Sequence, residues 1–446
     1  MDLLKDDLGK LYRKFLIASF GSALIASIYG LVDMIVVGQY HGPDGAAAMS
    51  VIAPVWNIIY SFGLLTGIGG SVLYGVSKGK GSKKANLYFT SAVVFSAIIS
   101  AVLWVIILVF EDRLLLLFGA NEKLMPLCKE YMIAPKFTVP IYVCINLFSS
   151  FLRNDSDPGL ATKSVIAGGV FNIFGDYFCV FTLDMGIRGA GIATAMCAGI
   201  STLVMLTHFF KKSNTLRLQF SKEIFRLFGR ITVNGFSSFI IDVAMGVLTM
   251  LFNRQIMKYL GTDALAVYGV IVSVSTLVQC CSYGIGQASQ PIISQNYGAG
   301  KSRRVLKSYL LTLCYSAVAA AVFGGLFLLF GHQFLSLFTS ESDVIEAGLA
   351  RIWVMCFSFP ISATMDCTTA ASRGLGKGLV PMIFVFLGSC VFRVIWVYTI
   401  FASVGTIASL YLLYPVSWTL TASAEMVYFF YLYRKVFRNP AKPATV

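Results

Sequence analysis

Charge is what this sequence has least of. Asp, Glu, Lys and Arg together make 13% of its 446 residues, beside 57% hydrophobic, whereas soluble globular chains carry about 25% charged residues. An ordinary soluble enzyme is excluded. Histidine is scarce as well: His41, His208 and His332 fall near the ends of apolar runs and make no metal-ligand cluster. The ten cysteines show no C-x-x-C spacing and sit mostly inside apolar runs (Cys144, Cys179, Cys197, Cys314, Cys390), so neither a disulfide framework nor a zinc site follows. Adjacent Cys280 and Cys281 read as packing residues. No Gly-x-x-x-x-Gly-Lys-Ser/Thr loop is present to cradle ATP. No catalytic residue, enzymatic activity or cofactor is expected.

Long apolar runs fill the space that charge leaves. A helical crossing of the bilayer needs roughly 20 apolar residues, and membrane strands would alternate over about ten, so unbroken runs select helices. Punctuated by charge and glycine, they fall at 15–39, 47–77, 86–110, 124–152, 160–182 and 187–210, then at 232–257, 264–293, 308–330, 347–371, 379–401 and 404–433. The run after Met1–Lys14 is too long for a signal-peptide core and is expected to remain as the first span. Between the two sets, Leu216, Phe220, Ile224, Leu227 and Phe228 recur at helical spacing among Lys222, Arg226 and Arg230, which predicts an amphipathic helix in the interface. The expected domains are a lobe over 1–210, a cytoplasmic linker over 211–231, a lobe over 232–435 and a cytoplasmic tail over 436–446.

The net charge of +14 is spread in short tracts between spans rather than on one basic face, so nucleic acid is not an expected partner. With the amino terminus inside, the inner segments hold 26 of the 35 Lys and Arg, the outer segments eight, and Arg393 alone lies within a span. That bias predicts a multi-pass protein of the plasma (inner) membrane with both termini cytoplasmic, in contact with lipid and monomeric.

The two sets are copies. A shift of 219 places Gly42, Asp44 and Ala47 on Gly261, Asp263 and Ala266, Gly67 on Gly286, and Gly79-Lys-Gly81 on Gly298-Ala-Gly300. At 220, Leu115, Leu117 and Phe118 fall on Leu335, Leu337 and Phe338, Pro140 on Pro360, Arg153 on Arg373, and Gly168 on Gly388. A tandem duplication of a six-span unit predicts an all-α membrane protein, twelve transmembrane helices in two six-helix bundles related by a pseudo-twofold along the membrane normal. Parallel repeats of this kind build transporters.

An acid inside the membrane costs about 2.5–3.5 kcal/mol by insertion scales, so it should face a cavity, hold a partner or bind a proton. Five of the 21 acids lie well inside spans: Asp33, Asp176, Asp242, Asp366 and Glu425. Asp33 and Asp176 fall in the outer halves of spans 1 and 5, with Asn172 one turn from Asp176 on the same face. Thr194 and Tyr29 could complete this cluster. Hard oxygens so gathered suit either a monovalent cation or a proton shared between carboxylates. Asp33 matches Phe252, so this site belongs to the first lobe. Asp242 and Asp366, in the inner half of the second, are candidates for a second protonation or substrate site. Glu425 is a further candidate, and Arg393 lies at a different depth, so the two are not paired. The 62 aromatic residues and 15 methionines could line a cavity for flat or cationic ligands.

Several segments together resemble the multidrug and toxic compound extrusion (MATE) family: Gly30-Leu-Val-Asp-Met-Ile-Val-Val-Gly38, Leu152-Arg-Asn-Asp-Ser-Asp-Pro158, Gly168 to Asp176 with its Asn-x-x-x-Asp, Gly186-Ile-Arg-Gly-Ala-Gly-Ile-Ala-Thr194, and the Gly-x-Gly-basic turns after spans 2 and 8. The resemblance covers essentially the whole chain. It implies two V-shaped bundles around a central cavity, exporting organic cations and other drugs in exchange for Na⁺ or H⁺. It also implies that Asp33, Asn172, Asp176 and Thr194 hold the coupling ion in the amino lobe. Two departures stand out: Phe15 to Gln39 lacks the proline that bends span 1 in some members, and Asp366 falls about one turn late for the span-10 acid of another branch. The alternative, a lipid-linked oligosaccharide flippase of the same superfamily, needs a more basic cavity than a lone Arg393 supplies.

Overall fold

The computed structural model describes residues 2–336, 342–404 and 406–438, so the tail beyond 438 and the repeat pair Leu337 and Phe338 lie outside the described residues. Within them the chain is helical almost throughout, without a strand: α1 (Leu8–His41), α2 (Pro43–Gly79), α3 (Ala85–Leu117), α4 (Met125–Tyr131), α5 (Ile133–Asn154), α6 (Pro158–Thr182), α7 (Gly186–Leu206), α8 (Ile224–Gly298), α9 (Ser302–Leu335), α10 (Ser342–Gly374), α11 (Leu379–Val404) and α12 (Ile407–Arg438). Among the described residues nine helices are long and apolar enough to cross a membrane, or ten if Gly348–Val354 and Cys356–Gly374, meeting at 52°, form one bent span. Pro360 explains that bend, since its ring clashes with the carbonyl four residues earlier. The remaining expected spans are helical but more polar, carrying buried Gln290, Gln295 and Asn296 in α8 and Ser417, Thr421 and Glu425 in α12. The 75 residues of α8 would measure about 112 Å if straight. A hydrocarbon core is about 30 Å thick, so both expected spans and their turn lie inside this one helical stretch.

Two local expectations change. The run 124–152 is not one helix but breaks at Met132 into α4 and α5. Pro140 inside α5 leaves the Lys136 carbonyl without its helical partner, and the Trp104 indole donates to that oxygen at 2.5 Å. The linker is not helical over 214–221, and helix resumes only at Ile224. Its backbone donors go elsewhere: Thr215 N to Asp155 Oδ2 (2.8 Å), Arg217 N to Asn86 Oδ1 (3.3 Å) and Gln219 N to Thr90 Oγ1 (2.8 Å). Side chains of α3 and the α5–α6 loop outcompete the helix that periodicity alone suggests.

The chain divides into two compact units, Arg13–Phe239 with Met1–Asp6, and Ile240–Val446 with Asp7–Tyr12. The first has an aliphatic core of fully buried Val37, Ile52, Ile59, Met132, Val143 and Ile187. Outward-facing Ile17, Val109, Leu203, Phe357 and Val427 are 66–72% exposed, a surface suited to lipid rather than water. The duplication is visible as repeated close contacts. A methyl added to Gly168 would lie 2.0 Å from Ser201 Oγ, and one on Gly388 2.1 Å from Thr421 Oγ1. These are the same pair of positions in each half. Glycine here lets helix backbones approach as small residues do in membranes.

Candidate functional site

Helix α6 begins with Pro158 at its first position and Asp157 accepting from Leu160 N at 3.4 Å. Three glycines then press it against its neighbours. Gly168 meets Ser201 and Cys197 on α7, Gly169 meets Ile25 and Tyr29 on α1, and Gly175 meets Ala193 on α7. Between them Asn172 and Asp176, one turn apart, face inward and are buried. Gly191 on α7 similarly admits the Tyr131 carbonyl, 3.0 Å from where its Cβ would stand. His41 Nε2 accepts from Ile187 N at 3.0 Å, filling one of the open donors at the start of α7.

These contacts assemble a continuous polar chain. Tyr131 OH donates to Asp33 Oδ2 at 2.7 Å and lies 3.5 Å from Thr194 Oγ1; Asn172 Nδ2 donates to Thr194 Oγ1 at 3.4 Å and to Asp176 Oδ1 at 3.1 Å. Asp33, Tyr131, Asn172, Asp176 and Thr194 are all at most 7% exposed. Three acceptor oxygens remain without a hydrogen-bond partner: Asp33 Oδ1, Asn172 Oδ1 and Asp176 Oδ2. Carboxylate, amide and hydroxyl oxygens with no imidazole or thiolate are a hard-cation or proton-sharing set. Among the described residues no group of three or more His, Cys, Asp or Glu could hold a metal ion.

The structure thus brings Asp33, Asn172, Asp176 and Thr194 together. Tyr29 packs its ring edge beside Gly169, and the phenol that hydrogen-bonds Asp33 is instead Tyr131 at the end of α4. Nothing in the sequence singles Tyr131 out, because the break at Met132 that aims it is invisible to periodicity. A shift of 219 or 220 carries Asp33, Asn172, Asp176 and Thr194 to Phe252, Phe392, Trp396 and Tyr414. These four share one apolar cluster of the second unit, with Phe252 and Tyr414 edge to face at 6.4 Å. The fold fills this position with aromatics in one half, so it does not itself require acids there.

The second-unit candidates divide. Arg393, nearly fully buried between two π-helical stretches of α11, donates from Nε to Ser417 Oγ at 2.8 Å and lies 4.5 Å from the Tyr414 ring and 5.6 Å from that of Trp418. Glu425, two turns further along α12, is fully buried and accepts from Thr369 Oγ1 at 2.6 Å. Asp366 on α10 is half-buried, with Arg373 and Arg393 acting on it electrostatically, and Asp242 is half-buried on α8.

A further cluster occupies the opposite end of α6. Asp155 Oδ1 takes Lys78 Nζ at 2.6 Å and the Thr215 hydroxyl, and its Oδ2 takes His208 Nε2 and Thr215 N, both at 2.8 Å. Asp157 Oδ2 takes His208 Nδ1 at 3.0 Å and Lys211 Nζ at 2.5 Å. Both ring nitrogens of fully buried His208 face carboxylate oxygens, which accept only, so both donate and the ring is an imidazolium. Burial pushes the Asp155 carboxyl up, but its bonds from His208 and the Lys78 charge outweigh this and hold it at about 2. Asp157, burial notwithstanding, is held well below the usual carboxylate range by His208 and Lys211. The latch ties α2, the α5–α6 turn, the end of α7 and the linker together.

A family model described as MatE matches residues 18–178 and again 237–399, the matches starting 219 residues apart as the repeat does. The multidrug export protein MepA of Staphylococcus saprophyticus is 21% identical over 411 residues, 88% of this chain and 90% of that protein. The probable multidrug resistance protein YoeA of Bacillus subtilis is 25% identical over 384 residues, 83% and 82% of the two chains. A solved outward-facing multidrug resistance MATE transporter of the MOP superfamily superposes with a TM-score of 0.88 at 21% identity, covering 98% of each chain, which establishes twelve helices in two six-helix bundles. This chain belongs to the MATE family of multidrug and toxic compound extrusion transporters.

Proposed function

We propose that this chain is a secondary active exporter that expels organic cations or other amphipathic drugs in exchange for H⁺ or Na⁺. The observation that carries this reading is the set of three unpartnered oxygens on Asp33, Asn172 and Asp176, buried along one chain of hydrogen bonds. Buried polar atoms are nearly always satisfied. Oxygens left open along this hydrogen-bonded chain are therefore poised for a proton or a small cation, and Thr194 and Tyr131 supply neighbouring hydroxyls. Occupation cancels one negative charge of the carboxylate pair and changes how α1 packs on α6 and α7. The drug then binds more weakly in the outward-open state, as coupling demands, and rocking of one bundle against the other exposes the drug site to each side in turn. One charge moving down a 100 mV potential contributes about 2.3 kcal/mol. In this reading the protein works as a monomer in the plasma membrane, with both termini cytoplasmic and no cofactor.

Efflux of a fluorescent organic cation from vesicles, under separately imposed Na⁺ and pH gradients, tests this. Wild type should respond to at least one gradient, and Asp33→Asn and Asp176→Asn should lose that response. Undiminished gradient-driven efflux in both variants refutes the site. Response to Na⁺ at fixed pH, or to pH without Na⁺, identifies the ion.

A further inference from the structure

The second unit buries an acid that the exchange at Asp33 and Asp176 leaves unused. Glu425 on α12 is fully buried, Thr369 on α10 donates to its Oε1, and its Oε2 has no hydrogen-bond partner. Asp366 and Arg373 on α10 act on it electrostatically, as it does on Tyr309 on α9. Tyr283 on α8 acts electrostatically on Arg373, while Arg393 on α11 is held two turns away at Ser417. Ser417, Thr421 and Glu425 recur every four residues as a buried polar stripe along α12.

The repeat itself does not call for this acid. The duplication sets Arg153 against Arg373, Asn146 against Asp366 and Met205 against Glu425. Arg153 is also buried. Neither acid recurs at the matching positions, and a methionine fills the place of Glu425 in the first bundle. An ionised carboxylate with an open oxygen is costly inside a membrane, whereas a protonated one is tolerated. A metal cation is a poor occupant. Hard cations gather about six oxygens, and the oxygen hydrogen-bonded to the Glu425 carboxyl here is the Thr369 hydroxyl alone.

We propose that Glu425 is a second proton-binding site, its carboxyl taking up and releasing a proton at Oε2 while Thr369 holds Oε1, separately from the ion site at Asp33 and Asp176. Its use in transport rests on the exporter reading; the proton binding does not.

The test is a pH titration of the full-length protein in lipid, followed by infrared difference spectroscopy without drug. A titrating protonated-carboxyl band is expected that persists in Asp33→Asn and Asp176→Asn, is lost in Glu425→Gln and shifts in frequency in Thr369→Val, which removes the hydrogen bond but keeps the acid. Titrating carboxyl bands identical in wild type, Glu425→Gln and Thr369→Val overturn the proposal. Should Glu425→Gln fail to fold, Thr369→Val and Glu425→Asp serve, since each keeps an acid and should move its band; an unmoved band in both overturns it. Because the readout needs no transport, absent efflux refutes the exporter reading alone.

Discussion

Replacing Asp155 by Asn should release the linker. The Asp155 carboxylate is fully buried and joins Lys78, His208 and Thr215. Removing one partner of a buried ion pair costs about 3–5 kcal/mol. Two features place this substitution at the low end: the imidazolium can shed its proton, and the Lys78 side chain is 28% exposed. A loss of about 3 kcal/mol raises the open population of 211–223 roughly a hundredfold. Trypsin reads that population, because Lys211, Lys212, Arg217 and Lys222 lie in the segment and cleavage tracks opening when reclosing is fast. The single cut that separates the halves should come roughly a hundred times faster in Asp155→Asn than in wild type. Lys123→Ala, which breaks an exposed pair with Asp44, should leave the rate near wild type. A rate in Asp155→Asn within about threefold of wild type would refute the assignment of the latch as the tie that holds the linker.

Acid should open the same segment. Asp155 has its carboxyl lowered from 3.8 to about 2, so its contribution is present above about pH 4 and is lost as pH falls toward 2; amide hydrogen exchange over 211–223, measured at each pH and corrected for the intrinsic rate, should speed up only below about pH 4. Tyr131→Phe removes the phenol that Asp33 and Thr194 share. Loss of a hydrogen bond to a charged group, about 1.5–3 kcal/mol, should move half-saturation by the coupling ion roughly ten- to a hundredfold in vesicle efflux with little change in thermal stability. In Gly235→Ala the new Cβ would lie 1.9 Å from the Leu65 carbonyl oxygen, a backbone atom that cannot rotate away, whereas Gly246 on the same helix has open space; size-exclusion profiles should show Gly235→Ala misassembled and Gly246→Ala intact.

The helices were readable because a bilayer imposes one crude rule, apolar length, on every crossing, and the repeat doubled that signal. Asp33, Asn172 and Asp176 were readable because charge inside an apolar run is costly enough to stand out singly, and i, i+4 spacing fixes a shared face. Tyr131 was not. One tyrosine among 21 carries no such cost, and its aim depends on a helix break at Met132 that hydrophobic pattern does not mark. The linker failed for a related reason. Its helical periodicity is real, but Asn86, Thr90 and Asp155, each far away in sequence, capture its backbone donors. His208 reads as a lone histidine at a span end, and only its neighbours make it a fixed cation.

The duplication separates what the fold needs from what the chemistry needs, and this can be tested in one set of variants. Gly168 and Gly388 make equivalent contacts, with Ser201 and Thr421, so Gly→Ala at either should overpack the bundle by about 1–3 kcal/mol. Removing the hydroxyl should not rescue them equally. Beside Gly168 the Cys197 carbonyl oxygen, a backbone atom, would still lie 2.9 Å from the new methyl, whereas beside Gly388 the next atom is Thr421 Cβ at 3.2 Å, itself replaced in kind by alanine. Thermal unfolding of the purified protein should therefore show partial recovery in Gly168→Ala/Ser201→Ala and fuller recovery in Gly388→Ala/Thr421→Ala. Fuller recovery in the first half would contradict the packing described. Asp33→Asn, by contrast, alters a position where the second half carries Phe252 within an apolar cluster, and it should leave thermal unfolding close to wild type while abolishing the response to the coupling ion.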